Sequence, residues 1–546
     1  NIFTSQIFFS SQMFLPVILI SYFGSNLMAG QYKIVEQVIL IFKTYILLFF
    51  NFVFPKVCFL LEKNKQNGIN NWKLFNGLNF IFVTLSMVVI YFFSYDIVAY
   101  FNPTNRYVLS NLLQSLSGTV NNIYLGQMLG VSAMAAVSAF FPVLFFTIAF
   151  NIGIGTGASV LIGQAWGAKD VDRVKAIAGS TLLVGISLGI VVAIMGSTFT
   201  EPLLRALGTP ADILPDTVTY ARIMFLGAPC VYVFLLMTSM LRGVGDSKTP
   251  MLTLLISTLV GMVLTPALIR GWGGLPMLGI RSSAYATLTA FVIAITWTVW
   301  YLRRPIHKQF AKGEHPLAPH ADFLQTLRFN KELMAKVLRI GLPSGITIVT
   351  MALAELAVLS LVNSHGSQAT AAYGAVIQIV NYVQFPAISI AIAASILGAQ
   401  AIGAGRGQTA LGHIAKTGIT LNVVLTGALV LLGYIFSRAM IGLFITDPAV
   451  VETAQSLLHI MLWGNIVFGM AMVLSGLMRA SGTVLFPTII TMFSLAGVLI
   501  PVATVLNQRF GLPGIWAGFP IAFTAMLLMQ TAYYRLVWKK KTLRPI

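Results

Sequence analysis

Charge is what this sequence has least of: Asp, Glu, Lys and Arg together make up 9% of its 546 residues, against about a quarter in a soluble domain. Water is thereby excluded as the main solvent of the fold. Cysteine is nearly absent too. Cys58 and Cys230 both lie in apolar stretches, which supports neither a disulfide framework nor a metal cluster. The strict apolar–polar alternation of a membrane β-barrel is also missing. What abounds is apolar: 57% of residues are hydrophobic and the mean hydropathy is +0.86. Apolar runs of about 20 residues recur from end to end, each long enough to cross roughly 30 Å of hydrocarbon. Backbone groups in lipid must find partners within their own segment, so the fold class is all-α and polytopic in a membrane.

The formal net charge of +19 does not imply a nucleic-acid partner, because basic residues collect in the cytoplasmic loops of membrane proteins. The chain begins at Asn1 with no signal-peptide layout, so it is expected to start inside a longer or rearranged reading frame.

An internal repeat organises most of the length. Gly163-Gln164-Ala165-Trp166-Gly167-Ala168 returns as Ala399-Gln400-Ala401-Ile402-Gly403-Ala404 at a shift of 236 residues, and Gly130 matches Gly366 at the same shift. Arg242-Gly243-Val244-Gly245 with Pro250 matches Arg479-Ala480-Ser481-Gly482 with Pro487 at 237, and Gly279-Ile280 matches Gly514-Ile515 at 235. Each match is weak alone; four in order at nearly one spacing are not. The repeat predicts six helices near 108–128, 134–164, 177–198, 215–242, 249–270 and 281–303, then six more near 343–364, 370–402, 414–437, 452–478, 484–506 and 513–536. Two pseudo-symmetric six-helix bundles result, at 107–304 and 332–546, twelve membrane helices in all. Paired halves with the pathway between them are how many secondary transporters are built.

One set of alternate loops carries Lys169, Arg173, Lys175, Arg242, Lys248, Arg406, Lys416 and Arg479. The connector 305–331 and the tail Lys539, Lys540, Lys541 and Arg544 fall on the same side. The opposite loops carry Glu201, Asp212, Asp216, Asp447 and Glu452. The positive-inside rule places the connector and the C-terminus in the cytoplasm of a multi-pass inner-membrane protein. The connector, with three prolines and His307, His315 and His320, reads as a solvated linker whose histidines are poorly spaced for a metal.

Residues 1–106 have no partner in the second half. They hold three extra hydrophobic segments near 7–23, 35–55 and 75–101, with a basic loop between Lys56 and Lys73. If that loop is cytoplasmic, the third segment ends outside, whereas the repeat needs residue 107 inside. The segment before residue 107 also lacks the basic amphipathic lead-in that Asn330–Arg339 gives the second half. The stretch is therefore expected to be a fragment of another transporter joined to a repeat that has lost its own first residues.

From about 108 to 541 the chain resembles the multidrug and toxic compound extrusion (MATE) family. The stretches that carry the likeness are Gly118–Gln127, Gly163–Ala168, Leu241–Asp246, Gly341–Ser344 and Gln378–Pro386. The resemblance implies two six-helix bundles in a V, exporting cationic amphipathic compounds in exchange for H⁺ or Na⁺. It implies no other cofactor, no enzymatic activity, and a monomer working in membrane lipid. Residues 1–106 look instead like part of a polysaccharide or O-antigen flippase of the same exporter superfamily, through Ser21–Ser25, Ala29–Tyr32 and Phe54–Lys56.

Exchange needs a site whose occupancy biases two conformations. An ionisable group inside the membrane is the default candidate, because a charge in hydrocarbon costs several kcal/mol without a partner. Of the 15 acids, all but Glu355 and Glu36 fall in loops or near expected helix ends; Glu355 sits mid-helix between apolar flanks and becomes the coupling residue, able to hold a proton or to bind Na⁺ or an organic cation when ionised. The alternative is a neutral carboxyl tied to a neighbouring helix. Asn111, Gln114, Ser115, Gly118, Asn121 and Asn122 share one face of the first repeat helix. That stripe lines a cavity or packs on a partner helix. Other branches of the family carry an Asp on this helix; none is present here, so that ion site is not carried over. Gln378, Asn381, Tyr382 and Gln384 fall within two turns of the eighth helix, with Pro386 next, and Tyr373 adds cation–π surface, so these are expected to line the substrate path. Arg222 and His459, mates at a shift of 237, are expected to anchor at the interface.

Gly153-Ile154-Gly155-Thr156-Gly157 follows no strand and has no acid at the needed distance, so close helix packing explains it better than nucleotide binding. Arg242–Lys248 lacks P-loop spacing. Two rival functions remain, a flippase for lipid-linked oligosaccharides and a non-functional composite chain. The near absence of mid-helix arginine and lysine in the repeat disfavours the first. Tag-accessibility mapping checks the helix count: a tag at Asn102–Arg106 is expected on the same side of the membrane as the 305–331 connector, and one on the opposite side refutes twelve helices.

Overall fold

The computed structural model describes residues 128–129, 131–207, 209, 211–304, 315–319, 323, 325–441, 448–541, 543 and 545–546. The 1–106 segments and the first repeat helix at 108–128, except Met128, lie outside them, as do His307 and His320.

Among the described residues the fold is helical, without strands. The first half runs α1 (Val131–Gly167), α2 (Val171–Ala206), α3 (Leu214–Leu226), α4 (Ala228–Gly243), α5 (Lys248–Arg270) and α6 (Arg281–Leu302). The second runs α7 (Lys331–Asn363), α8 (Ser367–Gly403), α9 (Gln408–Ile441), α10 (Pro448–Leu462), α11 (Gly464–Ala480), α12 (Leu485–Met492), a π-helical turn (Phe493–Leu499), α13 (Ile500–Phe510) and α14 (Leu512–Leu536). Among the described residues ten helices, or eleven with the bent pair α3–α4 as one span, are long and apolar enough to cross a membrane. The expected twelfth, 108–128, is the one outside the description.

Local chemistry explains where the helices deviate from the expected spans. The segment Asn330–Arg339 is the first turns of α7 itself: Asn330 Oδ1 accepts from the backbone N–H of Glu332 and Leu333, and Lys336 reaches Glu332 at 2.9 Å. The helix expected at 215–242 is bent by 54° at Gly227, where Pro229 withdraws a backbone donor. The last helix but one carries the π turn at Phe493–Leu499.

Packing divides the molecule by depth. One hydrophobic core is common to both halves. It joins Ile154, Leu161 and Ile162 of α1 and Leu241 of α4 to Ala399 and Ile402 of α8 and Leu477 of α11, and it includes Leu317, Ala318 and Phe323 from the connector. The other large cores belong to one half each: Phe140, Leu204, Tyr220 and Phe225 in the first, and Val358, Leu458, Phe468 and Trp516 in the second. The halves are thus fused at the connector end and pack separately toward the other.

The repeated motif forms that fusion and faces its own copy. A Cβ on Gly167 would run into the Gln400 carbonyl, and one on Gly403 into the Gln164 carbonyl. Gln164 Nε2 donates across the halves to Ala480 O at 2.7 Å, and Gln400 Nε2 donates the other way to Gly243 O at 3.0 Å. These two bonds are mates under the repeat. Deeper in, Gly153 backs onto Gly341 and Gly345, and Gly157 onto the Val337 carbonyl, which gives the glycine run its packing role.

The connector differs from the solvated linker expected. His315, Leu317 and Ala318 are buried, and His315 Nε2 lies 3.4 Å from Asp246 Oδ2, with both side chains almost fully enclosed. Asp246 also accepts from the backbone N–H of Lys248 and Thr249 and from the Thr249 hydroxyl. Burial alone raises this carboxyl. The hydrogen bonds from His315 and Thr249 together with the His315 charge outweigh it, and the group sits below its usual range. A lowered carboxyl contributes stability that is present above its unfolded value of about 3.9 and is lost as pH falls through the folded value.

Gly167→Ala or Gly403→Ala lowers the unfolding temperature in detergent, at an overpacking cost of about 1–3 kcal/mol, while Gly412→Ala, where a Cβ meets nothing within 4 Å, leaves it unchanged. Below about pH 4 the wild type loses stability more steeply than Asp246→Asn, and at neutral pH Asp246→Asn opens a thiol at Ala318→Cys to maleimide labelling.

Candidate functional site

Glu355 lies eight residues before the end of α7, about 12 Å along the axis at 1.5 Å per residue. Every other described acid lies in a loop or within two turns of a helix end. The packed face of α7 is Ala354, Val358 and Val362, at 5%, 0% and 0% exposure. Glu355 stands about 100° round from Ala354, at the border of that packed face. It is exposed at the edge of the helix, with Leu353 and Leu356 beside it, and its other side borders a cavity inside the second half.

That cavity is walled by five elements: Met351, Ala354 and Glu355 of α7, Ile377, Val380, Asn381 and Gln384 of α8, Met461 of α10, Leu495 and Leu499 of the π turn, and Phe519 and Phe523 of α14. Its volume is about 20 Å³, room for one water or a small ion and far below the several hundred Å³ of a drug site. The π turn places Leu495 and Leu499 against it, and such turns recur at functional positions. Glu355 is the one titratable group in this wall.

Tyr373 does not line the cavity. Its hydroxyl donates to the Glu355 backbone carbonyl at 3.3 Å and its ring packs on Trp516, so it braces the α7 turn that carries the carboxylate. Asn381 lines the cavity with Glu355. Tyr382 turns to Phe385 in an edge-to-face contact, away from that wall. Gln378 belongs to α8, with its side chain outside the description. Asn111, Gln114, Ser115, Asn121 and Asn122 also lie outside the described residues. His459, the mate of Arg222, meets the Ser437 hydroxyl at 2.9 Å and its carbonyl accepts from Tyr434, a contact internal to the second half.

Asn465 was not singled out by sequence. Fully buried at the start of α11, it accepts from Gln384 Nε2 at 2.9 Å, while its own Nδ2 donates to the carbonyls of Leu462 and Met461 at 3.1 and 3.3 Å. The signal available was asymmetry: the repeat puts Ala228 at the matching place, and Asn465 stands in an apolar stretch directly after Trp463-Gly464.

Two blocks, residues 107–267 and 343–505, match the MatE family model. The chain belongs to the MatE family. Its curated relatives include the probable multidrug resistance protein YoeA of Bacillus subtilis, 45% identical over 80% of this chain and 92% of the relative. The multidrug export protein MepA of Staphylococcus aureus (strain N315) is 26% identical over 79% and 92%. Among solved structures, a MATE in the bent conformation aligns with TM-score 0.72 at 23% identity, covering 80% of this chain and 94% of that one. An outward-facing multidrug resistance MATE transporter of the MOP superfamily aligns with TM-score 0.73 at 23% identity, over 80% and 95%. Both confirm the fold. The family blocks begin at 107, so the matched region is the repeat and excludes the first 106 residues.

Proposed function

We propose that this MatE-family chain is a secondary active antiporter. It exports cationic, amphipathic compounds across a bacterial inner membrane in exchange for H⁺ or Na⁺, and Glu355 is the coupling carboxylate. The observation that carries the reading is the position of Glu355, an acid well inside a spanning helix, open on one side and bordering a small polar-edged cavity on the other. An acid facing lipid at that depth is costly, so its open side looks into a wet cleft between the halves. The relatives named for multidrug resistance and export support the substrate class.

The cavity beside Glu355 is too small for a drug, so ion and drug occupy different places. The drug path runs between the halves, lined by the polar face of Asn111, Gln114, Ser115, Asn121 and Asn122 and by Gln378 and Tyr382. The connector end, rich in basic residues, is the cytoplasmic end. There the reciprocal glutamine bonds close the path, so the form described is shut toward the cytoplasm. Binding at Glu355 need only favour one of two arrangements of the halves to couple ion and drug.

Glu355→Gln is expected to abolish drug resistance conferred on a susceptible bacterial host, with expression and membrane insertion unchanged by immunoblot. Resistance retained at the wild-type level contradicts the reading.

A further inference from the structure

The hydrogen bonds around Asn465 orient one of the amides that line the Glu355 cavity. Backbone carbonyls only accept, so the Asn465 atom facing the Leu462 and Met461 carbonyls is its NH₂ group. Its carbonyl oxygen is then the atom turned toward Gln384. That oxygen needs a donor, so Gln384 presents its NH₂ to Asn465 and turns its own oxygen away. Gln384 lines the same cavity as Glu355.

We propose that Asn465 is a positioning residue for the coupling site: it holds the Gln384 amide oxygen toward the cavity, so that the cavity takes a proton on Glu355. This inference rests on the reading of Glu355 as the coupling carboxylate. An acceptor wall favours a hydroxyl, or a water donating onward, beside the carboxyl, which is the protonated form. The same wall does not make a sodium site. At most Glu355, Gln384 and Asn381 supply side-chain oxygens among the described residues, and the other nine lining residues are apolar. A hard cation stripped of water wants about six oxygens. A proton needs one carboxylate. Among the described residues of the five elements that wall the cavity, the titratable neighbour of Glu355 is Tyr373 of α8. Tyr373 engages the Glu355 backbone, and His459 and Tyr434 engage Ser437 and the His459 carbonyl.

Freeing Gln384 has one sign. Without Asn465 the amide can rotate and offer its NH₂ to the ionised carboxylate. The acceptor for the protonated form is lost and a donor to the charged form is gained. Both changes loosen the proton.

The experiment is efflux of a fluorescent organic cation from proteoliposomes holding the full chain, in sodium-free buffer, as a function of pH. The wild type is expected to run on a proton gradient alone. In Asn465→Ala the pH of half-maximal efflux moves down by about one unit, with the maximal rate kept within about twofold. Gln384→Ser withdraws the same oxygen without making the wall apolar and leaves Asn465 on its carbonyls, so it gives a smaller downward shift, with no donor added, if Asn465→Ala folds poorly. A half-maximal pH that is unmoved or raised in both variants overturns the proposal, as does efflux that runs only on a sodium gradient. If Glu355→Gln retains efflux, the underlying reading fails; if Glu355→Gln is inactive and neither variant shifts, this inference alone fails.

Discussion

Where α1 meets α8, the backbones of the two halves touch with nothing between them. Gly167 leaves room for the Gln400 carbonyl and Gly403 for the Gln164 carbonyl, and each glutamine reaches across to a carbonyl at the end of a helix in the other half. Small residues let helices approach this closely in lipid, where no hydrophobic effect drives them together. Polar side chains then add direction, since an amide without a partner there would be costly. The shared core grows around this crossing and draws in the connector through Leu317, Ala318 and Phe323. Farther along, Gly153 of α1 still backs onto Gly341 and Gly345 of α7, and the large cores beyond lie within one half each, so two bodies are held at one end and free to differ at the other.

The halves are alike in scaffold and unlike in chemistry. Under the repeat, Thr119 stands where the second half has Glu355, Ala228 where it has Asn465, and Asp246 where it has Thr483. The symmetric positions are glycines and glutamines that set backbone distance. The asymmetric ones are the polar groups that could carry an ion or clasp the connector. Asp246 is the acid of the first half used for structure, held by Thr249 and His315 beside the crossing. Glu355 has no such partner among the described residues, which suits a group that must take up and release its charge.

The scaffold was legible in the sequence because its constraints are local or periodic. Apolar length sets the spans and glycine at a shift of 236 marks the crossing, although α7 begins at Lys331 and not at the expected 343. The bend at Gly227 and the π turn at Phe493–Leu499 were not legible, since length and hydropathy do not change there. Docking of His315 was missed because His, Pro and mixed charge suggest solvent, while its burial depends on an acid 69 positions earlier. The site was legible in part. Glu355 stood out as an acid among apolar residues, but its place at the rim depends on which face of α7 packs. Asn465 matters only through Gln384, 81 residues away, and nothing in its own neighbourhood announces that partner.

The central claim is that the state of Glu355 is coupled to opening at the crossing. The most direct test is the distance, by pulsed electron paramagnetic resonance in liposomes, between spin labels at Asp172→Cys on the first half and Gly407→Cys on the second, both exposed at the connector end. The account predicts two populations, a short one and a longer one, whose proportions change with pH in the otherwise wild-type protein and stay fixed when Glu355→Gln is added. A single distance that ignores pH, or a shift that persists unchanged in Glu355→Gln, would contradict it.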